Sequence, residues 1–256
     1  MRLDTALQLN GNVHGPRDYH DRHGHLLKPE NSILQNRLND ISDYAKIHNL
    51  KLNEKKTKIM PFNFTRKFDF VPKLQACDKQ LDVVYSHKLL GIILSSDCKW
   101  NENTQHMVKK GNQRIWYLRR LKSLGASTDT LLDHYHKSVR SVMEQSVPIW
   151  NGGLTQANIR DIERVQKTAF KVILSPNYSS YQKSLQMLGE KTLEQRRKHL
   201  CKKFAIKCTK NGKMSTLFKK AINKTRYGKP YLEPITKSKR AFKGCIPYLT
   251  RLLNEK

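Results

Sequence analysis

The sequence predicts an α+β fold that is mostly α, with a small antiparallel β hairpin followed by a helical bundle. Two patterns predict it. Short β-rich runs punctuated by Pro and Asp precede residue 100, and from Asn101 to about Cys208 apolar residues recur at spacings of three and four. The chain has 256 residues, of which 38% are hydrophobic, enough to build a core. We therefore expect a folded chain.

The first part of the chain divides into a polar segment, one helix and several strands. Residues 1–30 are rich in Gly, His, Asn and Asp without an apolar period, so we expect poor order there. An apolar stripe that follows Asn31 or Ser32, the candidate N-caps, predicts a helix ending near His48 and Asn49. The runs TKIMPFNF, LDVVY and HKLLGIIL then predict a small antiparallel arrangement, with Pro61 at an edge or an interruption.

The second part contains four amphipathic helices with a cap or a stop at their ends. Thr192–Gln195, TLEQ, has the spacing of a capping box. The expected limits are Asn101 to Gly125, Ser127 to Pro148, Thr155 to Pro176, and Thr192 to Gly212. Beyond them Lys and Arg recur among Gly and Pro, which predicts a largely irregular basic tail. The expected parts are thus 1–30, 31–100, 101–211 and 212–256.

The charge indicates the class of partner. Lys and Arg number 49 against 21 Asp and Glu, for a net charge of +28. A chain this basic favours a polyanion, with nucleic acid ahead of an acidic membrane surface. It contains no apolar run of membrane-spanning length and no signal-peptide pattern, so we expect an intracellular protein of the nucleus or cytoplasm. Its five cysteines are an odd number and suggest reduced thiols.

Motifs for catalysis or metal binding are missing from the sequence. It has no adjacent pair of acidic residues, no GxSxG, no GxxxxGKT and no GxGxxG. The run RDYHDRHGH has metal-ligating residue types, but no strand or helix signal would fix their geometry, so we interpret it as a polar loop. Cys201, Cys208 and His199 lack a CxxC pair, and apolar packing of the two cysteines is the favoured interpretation.

Four segments of the chain stand in a distinctive order. They are NSILQNRLNDISDYAKIHNLKLNEKKTKIMPFNF, HKLLGIILSSDCKWNENTQHMVKKGNQRIWYLRRL, YHKSVRSVMEQSVPIWNGGLTQANIRDIERVQKTAFKVIL and LEQRRKHLC. In this order they resemble the C-terminal half of a non-LTR retrotransposon reverse transcriptase, jockey-like in flavour. The resemblance runs from about Asn31 to about Cys208, with a weaker echo in CIPYLTRLLNEK at the end of the chain.

The resemblance implies a right-hand polymerase of which this chain holds the end of the palm, the thumb and the region beyond. Asn53–Thr57 looks like the motif that places a lysine near the phosphates of the incoming nucleotide. Lys88 to Leu94 looks like the primer-grip hairpin, with Gly91 at its bend. The basic helix that begins at Asn101 looks like a thumb helix lying beside the duplex.

The resemblance also implies that the catalytic centre is incomplete. Such polymerases place one aspartate on an earlier strand and two in a Tyr-x-Asp-Asp hairpin; here MRLDTAL has Leu3 and Asp4 where the pair would stand. One carboxylate cannot hold two metal ions. We therefore expect a fragment of an RNA-directed DNA polymerase that is inactive alone, with no catalytic residue, metal site or cofactor of its own; Mg²⁺ is expected only for the full-length enzyme. The alternatives are a non-enzymatic nucleic-acid-binding helical protein or a transposon relic without function.

The candidate nucleic-acid contacts are basic residues, one glycine and one tryptophan. Trp116 and Tyr117 lie between several of them in the sequence, so charge and stacking surface combine. The alternative is a solvated helix face with Trp116 packed into the bundle. The candidates are Lys55, Lys56, Lys88, Gly91, Trp100, Lys109, Lys110, Arg114, Arg119 and Arg120.

Three further expectations concern partners. Arg196, Arg197 and Lys198 are either another phosphate patch or the polar face of their helix. The expected partner is an RNA–DNA hybrid or RNA, not a membrane. A palm cut through its sheet would also leave an exposed strand edge, which predicts self-association.

Overall fold

The computed structural model describes residues 33–62, 73–76, 79–221 and 228–255. The predictions for residues 1–30, for the caps Asn31 and Ser32 and for Leu3 and Asp4 lie outside these residues. The fold is α+β and mostly α, which confirms the predicted class. The chain divides into two compact units, the first made of Met1–Gly91 with Ser95–Asp97 and the second of Ile92–Leu94 with Cys98–Lys256.

The first unit contains one helix and pairs of very short strands around a small core. Helix α1 spans Ile33–Ile47 and ends where predicted, because Asn49 adopts a left-handed conformation with φ 53°. The Gln35 side chain binds the backbone of Gln75, donating to its carbonyl at 2.8 Å and accepting from its amide at 2.9 Å. The core consists of Leu38, Leu52, Leu74, Ala76 and Leu81.

The strand pairing departs from the antiparallel prediction. Strands β2, Gln75–Ala76, and β3, Lys79–Gln80, are antiparallel, but β1, Lys58–Ile59, pairs in parallel with β4, Asp82–Val83. Parallel pairing is open to β1 and β4 because the chain between them exceeds the dozen or so residues that a crossover needs. Lys58 and Asp82 are partners in this register, and their side chains form an ion pair. The all-antiparallel prediction is therefore wrong for β1 and β4.

A tight hairpin follows β4. Strands β5, Ser86–Leu89, and β6, Ile92–Ser95, are hydrogen-bonded to each other. Leu90 and Gly91 join them with φ values of 48° and 87°. Two consecutive positive φ values are those of a type I′ turn, which glycine favours and which joins antiparallel strands. Gly91 thus lies at the bend.

The second unit is helical, and its centre is a pair of parallel helices, α2 (Asn101–Ser123) and α6 (Gln156–Leu174). Contacts join their first, middle and last turns: Asn158 Nδ2 donates to Asn101 Oδ1 at 3.0 Å, Gly111 faces Val165, and Lys122 Nζ donates to the Ile173 carbonyl at 3.1 Å. The helices are α2 Asn101–Ser123, α3 Thr128–His134, a π-helical segment Tyr135–Arg140, α4 Ser141–Glu144, α5 Val147–Trp150, a 3₁₀ turn Asn151–Gly153, α6 Gln156–Leu174, α7 Tyr181–Met187, α8 Leu193–Lys210, α9 Gly212–Ser215, α10 Lys239–Phe242 and α11 Cys245–Asn254.

Local capping fixes several of these helix starts as predicted. The hydroxyls of Ser127, Thr155 and Thr192 accept hydrogen bonds from backbone amides in the first turns of α3, α6 and α8. Gln195 returns a bond to the Thr192 amide, which completes the capping box. The core around α2 and α6 includes the fully buried side chains of Tyr135, Trp150, Phe170, Met143 and Leu193.

The helix predicted between Ser127 and Pro148 is interrupted earlier. Its last turn, α4, ends at Glu144, because Gln145 is extended and Ser146 is left-handed with φ 52°. Pro148 then lies in the first turn of α5. A helix leaves its first amides without intrahelical partners, so a proline costs little there. Pro148 therefore belongs to a helix start, and the prediction that it stops the preceding helix is wrong.

The prediction of a largely irregular tail is wrong for Cys245–Asn254, which forms α11 and packs against α8. Leu249, Thr250 and Leu252 are buried there. Pro247 lies in the first turn of α11, where its missing amide again costs little. Among the helices of the described ranges, none has the length and apolar character needed to cross a bilayer.

Candidate nucleic-acid interface

Helix α2 is anchored by its inner face. Met107, Ile115 and Leu118 are buried, and Gly111 allows the closest approach to neighbouring elements. A Cβ atom at Gly111 would lie 2.9 Å from Val165 Cγ1 and 3.0 Å from Met143 Cε. Because these contacts fix the rotation of α2, they also fix which side chains point outward.

The outer face of α2 carries aromatic and basic side chains. Lys109, Gln113, Trp116 and Arg120 follow the i, i+4, i+7, i+11 spacing of one helical row. Trp116 is 58% exposed and the adjacent Tyr117 is 57% exposed. The alternative interpretation expected Trp116 to pack into the bundle, and its exposed ring contradicts that expectation.

The basic residues of this face have few partners inside the protein. No carboxylate of a described residue lies within ion-pair distance of Lys109, Lys110, Arg119 or Arg120. Arg114 Nη1 donates to the Ser138 carbonyl at 3.4 Å, near the limit of a hydrogen bond. We call the set the α2 strip; it consists of Lys109, Lys110, Arg114, Trp116, Tyr117, Arg119 and Arg120.

A groove runs along one side of the α2 strip. It has a volume of about 740 Å³ and lies between α2 and the segment where α3 passes into the π-helical turns. The Trp116 and Tyr117 rings meet edge to face, with centroids 5.0 Å apart and planes at 86°. The lining residues are Gln113, Arg114, Trp116, Tyr117, His134 and Ser138.

Trp100 lies apart from the α2 strip. Its ring is half-buried and packs against the core of the second unit. Gly153 makes this possible, because a Cβ atom there would lie 2.5 Å from the indole ring. The predicted stacking role of Trp100 therefore has little exposed ring surface to support it.

The candidates of the first unit lie on turns and a strand. Asn53 organises a turn in which its side chain accepts from the Lys56 amide at 3.2 Å and its carbonyl accepts from the Thr57 hydroxyl at 2.9 Å. This turn leaves the side chains of Lys55 and Lys56 exposed. Lys88 is exposed on β5, two residues before the turn that contains Gly91. These four candidates belong to the first unit and the α2 strip to the second.

A second basic row, which was not predicted from the sequence, lies on α6. Arg160, Arg164, Lys167 and Lys171 are all exposed and repeat the i, i+4, i+7, i+11 spacing. Arg164 pairs with Asp161 at 3.1 Å. Lys167 and Lys171 lie over the rings of Tyr181 and Tyr178, at 5.0 and 5.6 Å from the ring centroids. The charge spacing alone was signal enough to find this row.

The three basic residues at the start of α8 all have partners within the protein. Arg196 forms a bidentate pair with Glu144, and Lys198 pairs with Glu255 at 2.8 Å. Arg197 is buried and donates from Nε to Asn151 Oδ1 at 3.0 Å. Arg197 therefore lies in the protein interior, and both predicted alternatives, a phosphate patch and the polar face of the helix, are wrong for it.

Metal-ligating residues do not cluster in the described part of the chain. Within it, no three of His, Cys, Asp and Glu come together as a metal site. Cys201 and Cys208 are buried free thiols, as the apolar interpretation requires. Burial raises the pKa of Cys201 to about 12. Such a thiol stays protonated, which suits neither metal binding nor nucleophilic chemistry.

Comparisons of the chain with protein-family models, curated proteins and solved structures gave no match.

Proposed function

We propose that this protein binds nucleic acid through the α2 strip, as a fragment of a retrotransposon reverse transcriptase that does not synthesise DNA alone. The observation that carries the proposal is the exposure of Trp116 and Tyr117 beside cations without a described acidic partner. Phosphates neutralise such cations, and sugars or bases cover exposed aromatic rings. The net charge of +28 supports the same class of partner.

The expected partner is an RNA–DNA hybrid or RNA, as the family resemblance implies. Lys55, Lys56 and Lys88 are proposed as further phosphate contacts in the first unit. The α6 row is not needed for the proposal, because two of its lysines already lie over tyrosine rings. Binding should therefore depend most on the α2 strip.

The test is a salt titration with a labelled RNA–DNA hybrid. If the strip neutralises phosphates, log affinity falls linearly with log salt concentration. Each phosphate contact removed makes this fall less steep, reducing the magnitude of the slope by about 1. The double variant Lys109→Ala, Arg120→Ala should reduce the magnitude of the slope by about 2. Arg37→Ala removes a single cation outside the strip and should leave the slope unchanged, since Arg37 is exposed on α1 of the first unit. A flat salt response, or an equal slope in the strip variant and the wild type, would refute the proposal.

The enzymatic half of the proposal has its own test. A primer–template with Mg²⁺ and deoxynucleotides should give no extension when incubated with this chain, and detectable extension would overturn the prediction of inactivity. Tighter binding of the hybrid than of a DNA duplex supports retained primer–template binding. Equal binding to heparin and to the hybrid would instead favour the relic.

A further inference from the structure

The groove beside the α2 strip has features that a flat phosphate-binding face does not need. Its volume of about 740 Å³ falls in the roughly 300–1,000 Å³ range of ligand pockets. Its wall combines two aromatic rings, one guanidinium and three other polar side chains. We infer that this groove receives a single unpaired base of a single-stranded DNA or RNA segment, an inference that rests on the proposed function.

The aromatic geometry selects an unpaired base over a base pair. Trp116 and Tyr117 meet at 86°, so neither ring stacks on the other. A base that stacks on one ring therefore turns its edge toward the other. Bases within a duplex already have both faces covered by their neighbours, whereas an unpaired base has a free face to offer.

The charge beside the rings fits the phosphate that accompanies such a base. Arg114 lines the groove, and the bond to Ser138 uses only one of the five N–H donors of its guanidinium. Lys110 lies one helical turn before Arg114 on the same side of α2. A nucleotide with its base in the groove would thus place its phosphate next to cations.

The opposite wall offers groups that read a base edge. His134 and Ser138 line this wall, and the Ser138 hydroxyl can both donate and accept a hydrogen bond. On the α2 side, Gln113 adds an amide that both donates and accepts. The groove therefore combines stacking, charge and hydrogen bonding around the position of one base.

The test compares Tyr117→Ala with a matched control on the other unit. Tyr44 is 59% exposed, against 57% for Tyr117, so Tyr44→Ala removes the same side chain at the same exposure. Tyr117→Ala should weaken binding of a single-stranded oligonucleotide by roughly 5- to 150-fold, the fold-change of one lost base stack. Binding of a blunt duplex should weaken by a smaller factor, because its bases are already stacked on their neighbours, and Tyr44→Ala should change neither. Tyr117→Phe should keep most of the single-strand affinity, because the ring remains.

An abasic oligonucleotide separates the base from its phosphate. Scanning one abasic position along the strand should reveal a site where the wild type loses affinity and Tyr117→Ala loses no more. Tryptophan emission gives a second readout, since Trp116 is exposed while Trp150 is buried and Trp100 half-buried. A single strand should quench the emission, and Trp116→Phe should abolish the quenching. DNA and RNA strands of one sequence identify the sugar, and either preference agrees with the inference.

The outcomes separate this inference from the proposed function. Salt-dependent binding with single-strand and duplex affinities equally affected by Tyr117→Ala, or equally unaffected, would overturn the base site and leave the proposed function standing. Loss of salt-dependent binding to every nucleic acid would overturn both.

Discussion

Glu163 and Arg197 face each other inside the helical unit, with Glu163 Oε1 3.7 Å from Arg197 Nη1. Their side chains are 13% and 1% exposed. Glu163 also accepts from the Tyr181 hydroxyl at 2.7 Å and from the Glu194 amide at 2.6 Å. Burial lowers the pKa of Arg197, whereas burial and then the bond to Glu163 raise the pKa of Tyr181. This carboxylate therefore links α6, α7 and α8 in one polar cluster.

Glu163→Ala should destabilise the protein strongly. It leaves the Arg197 guanidinium buried without its carboxylate, and breaking a buried pair in this way costs about 3–5 kcal/mol. Urea denaturation should show this loss in the free energy of unfolding. Asp161→Ala is the control, because the Asp161–Arg164 pair of the same helix is largely exposed and contributes about 0–1 kcal/mol. Equal effects of the two variants would show that Arg197 does not depend on Glu163.

Gly111→Val should separate α2 from its neighbours. Its Cβ atom would already approach Val165 and Met143 to 2.9 and 3.0 Å, and the two further methyl groups have no room. Overpacking of this kind costs about 1–3 kcal/mol. Asn112→Val places the same β-branched residue on the exposed side of the helix and controls for helix propensity. Thermal unfolding of both variants measures the difference, and equal midpoints would contradict the close approach.

The features that the sequence predicted best are those that depend on residues close together in the chain. The starts of α3, α6 and α8 depend on Ser127, Thr155 and Thr192, and each cap bonds within its own first turn. The outer face of α2 was predictable for the same reason, since helical spacing alone brings Lys109, Trp116 and Arg120 together. Both kinds of evidence involve residues only a few positions apart.

Non-local pairing and helix ends account for what the sequence did not predict. The parallel register of Lys58 and Asp82 joins residues far apart in the chain, and strands of two residues carry almost no periodic signal. Arg197 has the same charge as Arg196 and Lys198, so the sequence alone does not distinguish it from them. Its burial depends on contacts with Asn151 and Glu163, which belong to other elements. Gly and Pro predicted an irregular tail, but Pro247 lies in the first turn of α11, where a proline is tolerated. The groove likewise needs His134, which comes from a different helix than Trp116 and Tyr117.

Thr192→Ala should weaken the start of α8. Its hydroxyl accepts from the Gln195 amide at 3.1 Å, and losing a cap of this kind costs about 0.5–2 kcal/mol. Amide hydrogen exchange should increase first in the turn that follows Thr192. Thr209→Ala is the control, because the Thr209 hydroxyl bonds to the Ile206 carbonyl near the opposite end of α8 and caps no amide. Unchanged exchange near Thr192 would show that Gln195 alone maintains this turn.

Alkaline pH should destabilise the helical unit through its buried thiols. Burial raises the pKa of Cys201 from 9.0 to about 12 and that of Cys245 to about 11. In the unfolded chain these thiols ionise from about pH 9, so above that pH the unfolded state binds fewer protons than the folded one. The stability they contribute is therefore fully present below about pH 9 and is lost as pH rises toward the folded pKa. Buried Tyr135 and Tyr181 have raised pKa values and act in the same direction.

Urea denaturation between about pH 8 and about pH 11 measures this dependence. Cys201→Ala should give a shallower fall in the free energy of unfolding than the wild type, because one buried ionisable group is gone. Val139→Ala, which removes buried apolar volume without an ionisable group, should lower stability by the same amount at every pH. A Cys201→Ala curve parallel to the wild type would place the alkaline loss in Cys245 or the tyrosines, and Cys245→Ala and Tyr181→Phe would then show which of them flattens it.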